Sequence, residues 1–227
     1  MTTETPPEPL PLIDALRTTP AARQFTDQPV DDATVIAVLD DARFAPSGGN
    51  RQPWRVCLVK DTAIRRQVAD LMTPVWREYI GESQRLDDKT APFAFGRATG
   101  ATPVAAPNEL LDDIERVPVV LVVAADLHKI ALMDGEVTRP PITGGASVYP
   151  FCWSILLAAR ARGLGGVITT FLSRAEPLAV PVLGLPTDHA IAATIFLGFP
   201  QRHVTRLRRD PVSSFMTIDR FDGAAAR

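Results

Sequence analysis

The chain has 227 residues, enough for one large domain or two small ones, and enough to bury a sizeable core. Its 46% hydrophobic and 22% charged content is that of a globular protein. The net charge of −2 gives no reason to expect nucleic acid or an anionic membrane as partner, and no apolar run reaches the roughly 18–20 residues of a bilayer span. The acidic, Pro-rich start (1–11) lacks the basic head and apolar core of a signal peptide. Cys57 and Cys152 have neither metal-ligand nor CxxC spacing and read as small core hydrophobes, so a reducing, cytoplasmic setting is expected.

Residues 1–9 read as a flexible arm and 10–227 as a single domain. A short helix is predicted over 10–19, with Leu12, Ile13 and Leu16 on one face, and Pro20 ends it. An extended stretch follows, Arg23-Gln24-Phe25 included. Asp31 or Asp32 then caps a helix over 32–44. Next comes Ala45-Pro46-Ser47-Gly48-Gly49-Asn50-Arg51-Gln52-Pro53-Trp54. Such a turn exposes backbone N–H groups and the amides of Asn50 and Gln52 to a ligand; an ordinary helix-to-strand loop is the plainer reading. Alternation over 54–60 predicts a strand, and apolar spacing over 62–80 a helix.

Residues 81–108 mix Gly, Pro and charge, with Phe93 and Phe95, and read as a variable lid-like segment. Asn108 caps a short helix over 109–115, and 117–125 is an apolar, β-branched run expected of a buried strand. Residues 127–141 read as loop. The helix predicted over 147–162 is apolar nearly all round, as in a core or a subunit interface, with Gly163 as its stop. A strand over 164–172, a helix over 175–183 and a strand over 189–198 precede an extended tail, 199–227, that carries Arg202, Arg206, Arg208 and Arg209. The alternation argues for an α+β fold, a mixed central sheet layered with helices. Gly163-Leu164-Gly165-Gly166 follows a helix and enters a strand, so a Rossmann dinucleotide site is not expected.

Four pieces together resemble the nitroreductase family of FMN-dependent oxidoreductases. They are Arg23-Gln24-Phe25 with Pro29-Val30, the loop ending at Trp54, Gly144-Gly145-Ala146-Ser147 running on to Gly165-Gly166, and Leu197-Gly198-Phe199-Pro200. The resemblance implies that Arg23, with Arg208 or Arg209, pairs with the FMN phosphate, as bidentate guanidinium groups suit. Ser47, Gly48 and Asn50 would meet the flavin, with Gln52 supporting the loop. Gly165, Gly166, Thr169 and Thr170 would lie at its reactive edge. A glycine kink followed by strand threonines is the plainer alternative for those four. Surface charge is the plainer one for each arginine. The resemblance further implies an intertwined homodimer and an alternating hydride transfer, from NADH or NADPH to flavin and on to a nitroaromatic, quinone or similar electrophile. No catalytic acid–base pair is expected; His128, His189 and His203 read as isolated. Thr19-Pro20-Ala21 departs from the family, which places a serine and basic residues there, so a flavin-sequestering protein with little turnover is the rival reading. Trp76, Phe93 or Phe95 could wall a substrate pocket or simply pack in the core.

Overall fold

The computed structural model describes residues 10–85 and 104–225. The predicted arm and most of the variable segment, including Phe93 and Phe95, lie outside the described residues.

Four strands form one sheet: β1 (Trp54–Leu58), β2 (Val119–Asp126), β3 (Gly165–Thr169) and β4 (His189–Gly198), in the order β1-β2-β4-β3. All neighbours pair antiparallel. The sheet is therefore antiparallel rather than mixed; Ala21 makes only an isolated parallel bridge to Gly166 of β3. The apolar run of β2 fills both faces of the sheet, because successive side chains alternate. Val119, Leu121 and Val123 face one core with α2 (Asp32–Ala42) and α5 (Val148–Arg160). Val120 and Val122 face a second core with α3 (Thr62–Arg85), α4 (Glu109–Asp112) and α7 (Glu176–Leu183). The result is the expected α+β architecture, with helices on both faces.

Local chemistry sets the ends of these elements. The Asp31 side chain accepts from Thr34 N–H at 2.7 Å and caps α2. Gly163, at φ 77°, takes the left-handed turn that α5 needs after its last residues. The Arg65 guanidinium is buried, and it donates to the Val59 and Val117 carbonyls at 2.8 and 2.7 Å. It thereby fastens the end of β1 to the lead-in of β2. Burial pushes its pKa down.

Some expectations change. The helix predicted over 62–80 runs through Pro74 to Arg85, so 81–85 is helix rather than loop. The strand predicted over 164–172 stops at Thr169; a short helix α6 (Phe171–Arg174) packs against β4 and turns the chain early. Cys57 is exposed, because β1 is an edge strand whose alternate residues Arg55 and Cys57 point outward. Cys152 is buried, and burial pushes its thiol up to about 12, which leaves no thiolate at neutral pH. The histidines are not isolated: His189 Nδ1 and Asp188 Oδ1 are 2.8 Å apart, His128 approaches the same carboxylate at 3.5 Å, and His203 pairs with Arg160. The register of Asp126 with His189 brings the first three groups to one end of the sheet. No helix among the described residues is long and apolar enough to cross a membrane. The short helix α1 (Leu12–Thr18) buries Ala15 and leaves Leu12, Ile13 and Leu16 exposed.

Candidate functional site

The loop between α2 and β1 is held in a costly shape. Gly49, Asn50 and Gln52 have φ of 58°, 54° and 48°. Glycine adopts that region freely, but each non-glycine residue there costs on the order of 1 kcal/mol. Surrounding contacts hold the shape. Ser47 Oγ accepts from Gln52 N–H at 3.0 Å, and the Gln52 amide donates to Asn50 Oδ1 at 3.2 Å. Gly48 N–H donates to Ser147 Oγ at 3.0 Å. Trp54 stacks on Phe151 of α5, with ring centroids 4.6 Å apart and planes 3° off parallel. The loop's Trp therefore seals the loop to the core. Ser47 and Gly48, with Thr143, Gly144 and Ser147, line a cavity of about 690 Å³; Asn50 and Gln52 stay exposed at its edge.

A second cavity, of about 750 Å³, lies at the other edge of the sheet. The segment from Ala21 to Thr26 is laid along it by backbone bonds: Ala22 N–H to Gly166 O at 2.9 Å, Thr26 N–H to Phe199 O at 2.8 Å, and Gln201 N–H to Gln24 O at 3.1 Å. This places Arg23 and Arg202 on one rim. Thr169 and Thr170 also line the cavity, and Trp76, Tyr79 and Phe171 form an aromatic wall with centroids 5.6–6.1 Å apart. Pro20 contributes a wall that lacks an N–H.

The structure thus divides the residues singled out from sequence. Arg23, Thr169 and Thr170 share one cavity, while Ser47 and Gly48 line another. Gly165 and Gly166 line neither. A Cβ on Gly166 would stand 2.4 Å from Leu197 Cδ2 and 2.6 Å from the Phe196 carbonyl oxygen; one on Gly165 would stand 3.0 Å from Ala22 Cβ. The missing side chain of Gly165 lets Ala22 approach β3, and that of Gly166 leaves room for Leu197 and Leu156. Arg208 and Arg209 are exposed and line neither cavity; Arg209 donates to the Arg208 carbonyl at 2.7 Å. Arg202 was not among the expected phosphate ligands. Its signal lay in Leu197-Gly198-Phe199-Pro200, whose Pro200 bridges to Phe25 and so delivers the next arginine beside Arg23.

Residues 16–199 match the family model described as Nitroreductase family. The chain is 30% identical over 185 residues to a 5,6-dimethylbenzimidazole synthase of Rhodospirillum rubrum, covering 79% of this chain and 77% of that protein. It is 29% identical to a nitrobenzene nitroreductase of Ectopseudomonas oleovorans, covering 82% and 85%. Among solved structures, the NADPH:FMN oxidoreductase of Vibrio harveyi complexed with NAD+ superposes with a TM-score of 0.66 at 20% identity, covering 92% of this chain and 77% of that one. At that identity the superposition speaks for the fold.

Proposed function

Because this chain belongs to the nitroreductase family, we propose that it is an FMN-dependent NAD(P)H oxidoreductase acting on nitroaromatics, quinones or similar small electrophiles. The observation that carries the reading is the division of the site. One edge of the sheet offers Arg23, Arg202 and two threonine hydroxyls, with Glu109 beside them; the other offers a strained polar loop, with Arg51 and Lys129 lining the same cavity. A phosphate-bearing flat cofactor needs both kinds of surface, and a second copy supplies the missing half at each site. Exposed apolar residues favour such a homodimer: Leu12, Ile13, Phe44 and Phe215 are 54–76% exposed, and Phe221 is fully so.

The donor set fits FMN. Arg23 and Arg202 would hold the phosphate, and the cavity has room for the ribityl chain and ring. Thr169 and Thr170 would face the ring edge, and the partner copy's loop, with Ser47 and Asn50, would cover it. The bound flavin supplies two-electron acceptor chemistry, taking hydride from NADH or NADPH and passing it on. The chain orients both reactants against one face and excludes water. The relative named a nitrobenzene nitroreductase supports this reaction class, while the relative named a synthase leaves the reaction and the electrophile open.

Pro20 favours a second reading. Its wall lacks a donor, which weakens the grip on phosphate and would suit a protein that holds flavin with little turnover. Steady-state NADH and NADPH oxidation with menadione or nitrobenzene as acceptor separates the two. Sustained turnover supports the oxidoreductase; flavin uptake without turnover supports the sequestering protein and overturns it.

A further inference from the structure

The long connection between β2 and α5, residues 127–147, passes through one buried acid. The Asp134 side chain is 8% exposed. Its Oδ1 accepts from Thr143 N–H at 3.2 Å and Thr143 Oγ1 at 2.5 Å; its Oδ2 accepts from Ile142 N–H at 2.8 Å and Arg139 Nη1 at 2.6 Å. Both oxygens are fully engaged, and those donors hold the carboxyl well below the usual range.

The segment that Asp134 grips leads straight to the candidate site. Thr143–Gly145 forms a tight turn, closed by Ala146 N–H to Thr143 O at 3.1 Å. It is packed closely: a Cβ on Gly145 would stand 2.3 Å from the Tyr149 ring. The turn fixes Ser147, whose Oγ accepts Gly48 N–H. Thr143, Ser147, Ser47 and Gly48 then line one cavity.

We propose that Asp134 and Ser147 are positioning residues for the 46–52 loop: Asp134 sets the Thr143–Gly145 turn, the turn sets Ser147, and the Ser147 hydroxyl sets the direction of Gly48. The inference rests on the flavin reading for its consequence. Gly48 N–H is spent on Ser147, so the loop offers a ligand Ser47 and Asn50 rather than the Gly48 amide. The proton of the Ser147 hydroxyl remains free to point into the cavity.

Two readouts test this on the full chain: amide hydrogen exchange of Gly48, measured without flavin, and FMN affinity by fluorescence titration. The variants are Ser147→Ala, Ser147→Thr, Asp134→Asn and the double variant Asp134→Asn/Ser147→Ala. Loss of one hydrogen bond corresponds to about tenfold. Ser147→Ala is expected to speed Gly48 exchange and weaken FMN about tenfold each, with the melting temperature nearly unmoved; Ser147→Thr restores both. Asp134→Asn gives the same two effects, and the double variant is no worse than the stronger single one by more than about twofold, because both act through one chain. Should Asp134→Asn not fold, Thr143→Val, which removes one donor to the carboxylate, takes its place. Wild-type exchange at Gly48 in Ser147→Ala, or multiplicative effects in the double variant, overturns the proposal. Altered exchange in a chain that takes up no FMN upholds the positioning and overturns the flavin reading instead.

Discussion

Cys57 and Thr169 stand in register across the sheet at its two opposite edges, linked through Val122 and Thr194. Three inter-strand spacings separate them, about 14 Å. The 46–52 loop leads into one edge, and the threonines close the other. Within one chain the two candidate surfaces are therefore held apart. Trans-complementation follows as an expected outcome. Arg23→Ala and Ser47→Ala/Asn50→Gly should each lose FMN as homodimers. Unfolded together and refolded as a mixture, they should recover about a quarter of wild-type flavin content, since half of the pairs are mixed and each mixed pair holds one intact site. No recovery in a mixture that dimerises would place both halves in one chain.

Arg202 should matter more than the arginines after it. Losing a charge-assisted contact to phosphate costs about 1.5–3 kcal/mol, roughly ten- to a hundred-fold in affinity. Arg202→Ala is expected to weaken FMN by that factor, while Arg208→Ala and Arg209→Ala, at positions lining neither cavity, stay near wild type. A fluorescence titration of the three variants decides this, and equal losses at Arg208 would favour the sequence-based expectation.

Gly166 offers a stability test. Its added Cβ would meet Leu197, the Phe196 carbonyl and, at 3.0 Å, Leu156. Overpacking of this kind costs about 1–3 kcal/mol. Gly166→Ala should therefore lower the melting temperature by several degrees. A glycine kept only to leave room for a ligand would give a variant with wild-type stability and weaker flavin.

Asp134 predicts a pH dependence whose sign is fixed. Its folded pKa lies below its usual value of 3.8, so the unfolded chain binds the proton first as pH falls. The stabilisation is complete above that ordinary value and is lost as pH drops through the folded one. The melting-temperature gap between wild type and Asp134→Asn should stay level from pH 7 to about pH 5 and narrow steadily below about pH 4. A gap that narrows already between pH 7 and 6 would point to a histidine instead.

Much of this was legible in the residues. The apolar run of β2, the Asp31 cap, the Gly163 stop and the all-round apolar α5 carry their signals locally, through periodicity and turn chemistry. The 46–52 loop was legible because its Pro, Ser, Gly and Asn residues serve no packing purpose. What could not be read was set by distant partners. The close packing of Ala22 on Gly165 and of Leu197 on Gly166 depends on residues far away in sequence. The rim position of Arg202 depends on the bridge between Phe25 and Pro200, far apart in sequence. Asp134 is one acid in a loop of mixed character, and only the return of Ile142 and Thr143 to it shows its burial.

The central claim is that this chain builds an FMN site that accepts electrons from a nicotinamide. It is tested most directly by the visible spectrum of the FMN-dialysed protein, recorded anaerobically before and after NADH or NADPH. The account predicts about one flavin retained per chain, with oxidised-flavin bands that bleach on adding the reductant. A colourless protein after dialysis, or bound flavin that neither nicotinamide bleaches, would contradict it.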